Sequence, residues 1–236
     1  MNQILVSEKV YVTPDMKKKK KFFKFEFFLS IFLVCILSSY GIYAEYDRNK
    51  SEKVSKEILA NLDSELNEEK LEKVVVVLNS AFNEELNTST QIAEVPSVQI
   101  TTASDGTKYY TIGTINIPSI GVNYPILSET TTELLKIAPC KFWGADPNQT
   151  GNFCIVGHNY RNKLFFSKVP NLENGDIIEI TDLSNTTLQY AVYDKFIIEP
   201  DNTDCTSQKT NGKKEVTIIT CTDDGQQRVV VKARKI

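Results

Sequence analysis

The sequence predicts an all-β C-terminal domain, a sandwich or closed barrel, preceded by a transmembrane helix and a helical stalk. Three observations carry that reading. A block of lysines near the N-terminus is followed by an uncharged apolar run at 27–44. A segment free of Gly and Pro then spaces its apolar residues at helical intervals. From Tyr109 onward, short runs rich in Ile, Val, Thr, Tyr and Phe alternate with turn residues.

The apolar run comes first. Lys17 to Lys21 are consecutive, and Lys24 follows. The run at 27–44 carries no charge, and its polar content is three serines. A bilayer core needs ~20 helical residues, with a range of ~17–25. Phe22, Phe23 and Phe25 extend the run into that range. Lysines before it, and Glu45, Asp47, Arg48 and Lys50 after it, predict a cytoplasmic segment at 1–26. An anchor at 27–46 then places the rest of the chain outside the cell. A cleaved signal peptide shares the basic and apolar parts. This run, however, exceeds the usual ~7–15-residue apolar region and shows no A-x-A site.

Residues 47–107 read as stalk and linker. Val54, Ile58, Leu62 and Leu66, then Leu71, Val75, Leu78, Phe82 and Leu86, recur at spacings of three to five. That pattern suits an amphipathic helix, single, hairpinned or self-associating. The four valines at 74–77 also suit a strand. From Asn87 to Lys108 the chain is rich in Thr, Ser and Asp, with Pro96 and Gly106, as a linker would be.

The remaining segment, 108–236, can bury its own core. Candidate strands are 109–117, 122–126, 152–156, 176–181, 187–198, 216–221 and 228–233, with a helix at 131–138 and a helical turn at 163–169. Turn signals separate them, among them Asp146-Pro147-Asn148, Asn174-Gly175 and Asp224-Gly225. The net charge of −3 argues against a nucleic-acid partner. A single histidine, His158, rules out a His-rich metal site. Five cysteines without a C-x-x-C pair give no support to a zinc ribbon or a dithiol redox motif.

Chemistry is most legible at the last hairpin. Asp224-Gly225 suits a two-residue type I′ turn, in which both central residues take φ > 0; a longer loop is the alternative, and it would change the register. Pairing outward from it sets Cys221 opposite Arg228. Opposed residues of an antiparallel pair share a face, with Cβ atoms ~4.5–5.5 Å apart. A neighbouring cation favours thiolate, the nucleophilic form. A guanidinium also offers fixed donors to an oxyanion. His158 ends an apolar run after Gly157 and is the one side chain whose ordinary pKa lies near neutrality. Cysteine chemistry that needs a proton partner must use it. Sequence spacing alone does not bring His158 to Cys221.

Thr217-Ile218-Ile219-Thr220-Cys221 resembles the TLxTC motif of sortases, with Ile for Leu, and Arg228 stands on the next strand as that family's arginine does. Gly151 to Asn159 resembles the strand that ends in the family's histidine. Ile117-Pro118-Ser119-Ile120-Gly121-Val122, with Tyr124-Pro125-Ile126-Leu127, resembles the early strands flanking the groove. Leu172 to Ile180 resembles the strand that follows the histidine loop. The resemblance covers the whole β unit. It implies a closed eight-stranded β-barrel and a cysteine transpeptidase without a cofactor. Cys221 would be the nucleophile, His158 the acid and base, and Arg228 the oxyanion partner, with Thr220 lining the site for substrate. The implied partners are surface proteins carrying an LPxTG-like C-terminal sorting signal, and an amine acceptor from a cell-wall precursor or a pilin subunit.

Some features depart from the family pattern. Only Thr-Asp-Asp-Gly-Gln-Gln separates Cys221 from Arg228, and Asp223 and Asp224 bring negative charge to the nucleophile. Some sortases use calcium. Here Glu199, Asp201 and Asp204 read as a solvated loop, and no metal is expected. Cys140, Cys154 and Cys205 leave a disulfide open, and Cys154 reads as a small buried hydrophobe. Two other functions fit the residues: a cysteine peptidase that gives the same thioester to water, and a non-catalytic wall-binding barrel.

Overall fold

The computed structural model describes residues 14–82 and 98–236, with 63 and 65–82 described by their backbone alone. Part of the expected linker, 87–97, lies outside the described residues. The chain divides into two units, 1–48 and 49–236.

In the first unit the described residues are helical, within α1 (Pro14–Phe82). Side chains from Pro14 to Ile42 are all exposed, among them Phe22, Phe32 and Leu37. This helix has the length and apolar composition to cross a membrane.

Among the described residues of the second unit, nine strands form one sheet. They are β1 (Gln99–Thr102), β2 (Lys108–Ile117), β3 (Val122–Leu127), β4 (Cys140–Gly144), β5 (Gly151–Val156), β6 (Ile177–Asp182), β7 (Thr187–Ile198), β8 (Lys214–Cys221) and β9 (Arg228–Lys235). The order is β1-β2-β3-β4-β5-β8-β9-β7-β6, and a β2–β6 pairing closes the ring. Eight strands therefore make the barrel, with β1 outside it. Strand β2 serves both roles. Its first half pairs with β1 from Lys108 to Thr111, and its second half pairs with β6 from Gly113 to Asn116. A register shift between Thr111 and Gly113 marks the change. Closure needs a glycine there, because a Cβ on Gly113 would lie 2.3 Å from the Thr181 carbonyl oxygen.

Alternation along the strands sets what faces inward. Ile115, Ile117, Phe153, Ile155, Ile178, Ile180, Val216, Ile218 and Val231 fill the interior. Between them on the outward face lie Ile219 and Val230, which pack with Cys205, Val156, Phe196 and Ile198. The amphipathic stripe of the stalk has a partner too. Ile58 is fully buried in a cluster with Ala103, Tyr109, Leu127, Ala138 and Cys140, and Val54 joins it. The Ser104 hydroxyl donates to Glu57 at 3.0 Å.

Three local expectations are corrected. β1 falls within the expected linker; its few polar residues carry no hydrophobic alternation, and pairing with β2 makes the strand. β4 was not foreseen, because a register shift between Lys141 and Trp143 breaks its period of two. The helical turn expected at 163–169 is a shorter 3-10 turn at Val169–Asn171. The expected helix appears as α2 (Thr132–Ile137), where the Thr131 side chain caps Leu134 N–H at 3.1 Å.

Gly113→Ala is expected to force β2 and β6 apart and to destabilise the fold by about 1–3 kcal/mol. A thermal melt checks this; an unchanged Tm would mean the closure tolerates a side chain.

Candidate active site

Two pairings assemble the candidate residues. β5 and β8 run parallel in register from Gly151 opposite Lys214 to Val156 opposite Ile219. The alignment carries on beyond the strand: Gly157 N–H donates to the Ile219 carbonyl at 3.1 Å, and the Thr220 hydroxyl donates to the Gly157 carbonyl at 2.8 Å. His158 therefore leaves β5 level with Cys221. On the other side of β8, β9 runs antiparallel with Cys221 opposite Arg228. Cys221 stands between the imidazole strand and the guanidinium strand.

The register at the hairpin is the one the sequence indicated, but the turn is different. Gly225 has φ 75°, while Asp224 is not left-handed. Gly225 N–H donates to the Thr222 carbonyl at 2.9 Å, and Thr222 N–H to the Gln227 carbonyl at 3.0 Å. The connection is thus a longer loop around an ordinary turn, which agrees with right-handed strand twist through its final glycine. Asp224 is exposed and accepts from the Thr222 hydroxyl at 2.5 Å. That bond, with a second from Gln226 N–H, holds its carboxyl below the usual range. Its charge faces solvent, where screening weakens any effect on the thiol.

Thr220 is placed differently from the expectation that it lines the site. It is buried, on the inward face shared with Val216 and Ile218, and its hydroxyl proton is committed to Gly157. Strand alternation turns it away from the Cys221 thiol. Its hydroxyl ties the strand that carries Cys221 to the strand that leads to His158.

The histidine loop is rigidly packed. Gly157 lies against Phe166, whose ring would sit 2.5 Å from any Cβ there. Phe165 holds φ 50°, a costly conformation for an aromatic residue. Its N–H donates to the Tyr124 hydroxyl at 3.1 Å, and its ring stacks on Tyr124 at 5.1 Å. Tyr160 spans from Phe165 to His158, at 5.5 Å and 5.0 Å between ring centroids. Burial in these surroundings lowers the His158 pKa below its ordinary 6.5, and the charge of Lys136 adds to the effect. Sequence reasoning missed Asn159. Its Nδ2 donates to the Cys221 carbonyl at 2.9 Å and to the Asp223 carboxylate at 3.0 Å. Its one sequence signal was its place directly after the sole histidine.

Arg228 uses Nη1 on the Gln227 carbonyl at 3.0 Å, which leaves other guanidinium donors for a ligand. It borders a groove of about 150 Å³ whose wall includes Val156, Ile198, Pro200 and Ile219. Cys221 is half-buried, whereas Cys140, Cys154 and Cys205 are buried free thiols. Burial pushes Cys140 and Cys154 up to about 12 and raises Cys205 as well. These three are held as thiols, unsuited to nucleophilic work. Among the described residues no three His, Cys, Asp or Glu side chains converge on a metal position.

Residues 115–236, slightly more than half of the chain, match the sortase domain. The chain belongs to the sortase family. It is 32% identical over 127 residues to sortase A of Bacillus anthracis, an alignment covering 52% of this chain and 59% of that one. Against sortase A of Listeria monocytogenes the identity is 28%, covering 56% and 59%. This sortase therefore spans about three-fifths of the length of these curated relatives. A solved sortase D5 transpeptidase of Clostridium perfringens superposes with a TM-score of 0.56 at 30% identity, covering 78% of this chain and 99% of that one.

Because His158 is the sole histidine, its imidazole titration is read directly by NMR on the full chain. The midpoint is expected below 6.5, and Lys136→Met is expected to move it upward by removing one of the two lowering causes. A wild-type midpoint above 6.5 would contradict the burial seen here.

Proposed function

We propose that this chain is a membrane-anchored cysteine transpeptidase. It cleaves an LPxTG-like sorting signal and joins the acyl product to an amine of the cell wall or of a pilin subunit. The single observation that carries the reading is the lateral alignment of His158, Cys221 and Arg228 across three adjacent strands. Residues 1–26 would lie in the cytoplasm, 27–46 in the membrane, and 47–107 would lead to the catalytic segment 108–236 outside. The lysine block and the exposed apolar helix support that orientation.

In the first half-reaction the Cys221 thiolate attacks the Thr carbonyl carbon, and the carbonyl electrons move onto oxygen. The free donors of Arg228 stabilise that oxyanion. His158, as imidazolium, gives its proton to the departing nitrogen as the C–N bond breaks, and a thioester remains. In the second, an acceptor amine attacks the thioester and yields its proton to neutral His158. The C–S bond breaks and the thiolate is restored. The cysteine–histidine pair needs one shared proton, so activity falls when both groups are protonated. The lowered His158 pKa places that acidic limb below pH 6.5. Asn159 holds the carbonyl of the nucleophile residue and so fixes the thiol relative to the imidazole.

Intact mass of the full chain in detergent micelles, incubated with LPxTG-type peptides, tests the reading. A thioester adduct lost in Cys221→Ala, with ligated product only when an amine is added, is expected. An adduct that passes to water even with amine in excess would make the protein a peptidase instead. Asn159→Ala is expected to lower kcat by about 10–100-fold with KM and Tm little changed, since small misplacements of a reacting group cost that much. Equal loss of Tm would make Asn159 structural alone.

A further inference from the structure

Beside the groove lies a second depression that the proposed chemistry does not use. It measures about 710 Å³ and is lined in part by Glu129, Phe142, Trp143, Gly144 and Gln208. Phe142 borders both depressions. The β7–β8 loop flanks both as well, with Asn202 and Thr206 at the groove and Gln208 at the cleft. The two hollows therefore adjoin at Phe142.

The cleft is built from fixed parts. The Gln208 side chain makes a two-way bond with the Asn152 backbone: its Nε2 donates to the carbonyl at 2.9 Å, and its Oε1 accepts from the N–H at 3.0 Å. Its amide fills the space where a Cβ on Gly144 would lie, 2.1 Å from Nε2. The Thr130 hydroxyl donates to the Lys141 carbonyl at 2.8 Å. Lys141 is paired with Asp146, so no net positive charge faces the cleft from this residue. Against this polar frame two aromatic rings stay open to solvent, Phe142 at 43% and Trp143 at 61% exposure. Rigid polar groups around exposed aromatic faces suit an apolar side chain on a hydrogen-bonding backbone.

The register locates the cleft along a substrate. Trp143 pairs with Cys154, and Cys154 with Thr217. Both partners lie four residues back from His158 and Cys221, which is about 13 Å along the strands at ~3.3 Å per residue. β4 is two strands from β8, which adds about 9 Å sideways. An extended peptide would cover the resulting path, about 16 Å, in roughly five residues. Direction follows from the chemistry. The acyl part stays bound as the thioester while the amine part leaves, so the groove holds the acyl side. The chain that runs on past the groove is upstream of the cleaved bond.

We propose that the Phe142–Trp143 cleft is a second substrate subsite. It takes an apolar or aromatic side chain of the extended polypeptide about five residues upstream of the cleaved bond. This rests on the transpeptidase reading of the Cys221 site. It makes the residues before the sorting motif part of what the enzyme selects.

Trp143 is the only tryptophan in the chain, so selective tryptophan emission reports this cleft alone. The full chain carrying Cys221→Ala, in detergent micelles, is titrated with the sorting motif alone, and with the motif plus an upstream extension bearing an aromatic residue. The extended peptide is expected to shift the emission to the blue and cut acrylamide quenching severalfold; the motif alone is not. With Cys221 intact, the extension is expected to lower KM about threefold to tenfold at unchanged kcat, as uniform binding does. Trp143→Ala is expected to erase that advantage and to leave motif-only kinetics as they were. Unchanged emission and quenching with the extended peptide overturn the subsite. So does equal kcat/KM for the two lengths. A Cys221 adduct beside an unmoved Trp143 sinks the subsite alone. A protected Trp143 without any adduct on Cys221 sinks the transpeptidase reading and leaves the cleft a peptide-binding site.

Discussion

The parallel pairing of β5 with β8 is the constraint on which the rest depends. These strands are separated by more than fifty residues, and they meet in unbroken register over six positions. A slip of one residue would send Cys221 into the interior and bring Thr220 out. Register is held by packing and by hydrogen bonds. Ile155 and Ile218 are buried inside, while the Thr220 hydroxyl and the Asn159 amide bind across the gap just beyond the strand ends. Six main-chain pairs and two side-chain bonds thus decide how His158 and Cys221 line up on adjacent strands.

Placing Cys221 and Arg228 on the outer face has its own logic. The interior is packed with aliphatic side chains and has no room for a peptide. The outer face at this point is covered instead by the long β7–β8 loop, and the space left between loop and sheet becomes the groove. Asn152 is the loop's main anchor: buried, it donates to the Cys205 and Ser207 carbonyls and accepts from the Thr217 hydroxyl at 2.7 Å. A fully satisfied amide of this kind is costly to displace. The groove wall is therefore set before any ligand arrives.

How much of this could be read from residues alone follows the distance over which each interaction acts. The facing of Cys221 and Arg228 was legible because a turn signal sits between them, and local geometry propagates outward from it. The turn type was not, since Asp224 suits several turns and strand twist chose among them. The strands at 122–127 and 152–156 carry dense runs of apolar and β-branched residues. β1 and β4 do not: the first is made by its neighbour, the second is interrupted by a bulge. His158 could be nominated by being the sole histidine, but its partner stands on the neighbouring strand β8, more than sixty positions away in the sequence, and no spacing encodes that pairing. Thr220 was read by family likeness as a site residue, and its parity on β8 assigns it to the core. The contacts of Asn159, Gln208 and Tyr124 were not legible, because each acts across more than forty positions.

The face of α1 that carries Ser51, Val54, Ser55, Ile58 and Leu62 is the most consequential departure from a modular picture. Ile58 and Leu62 are fully buried: Ile58 covers a wall that includes Leu127, Ala138 and Cys140, and Leu62 packs against Leu183. What the residue pattern describes as a spacer is, over these turns, a plank of the folded body. A polypeptide cut at the start of β2 would leave that wall bare and would gain a sticky apolar face with no counterpart in the intact chain. The folded body of this sortase begins inside the helix, near Ser51. Natural or laboratory truncations should be judged against that boundary rather than the edge of the barrel.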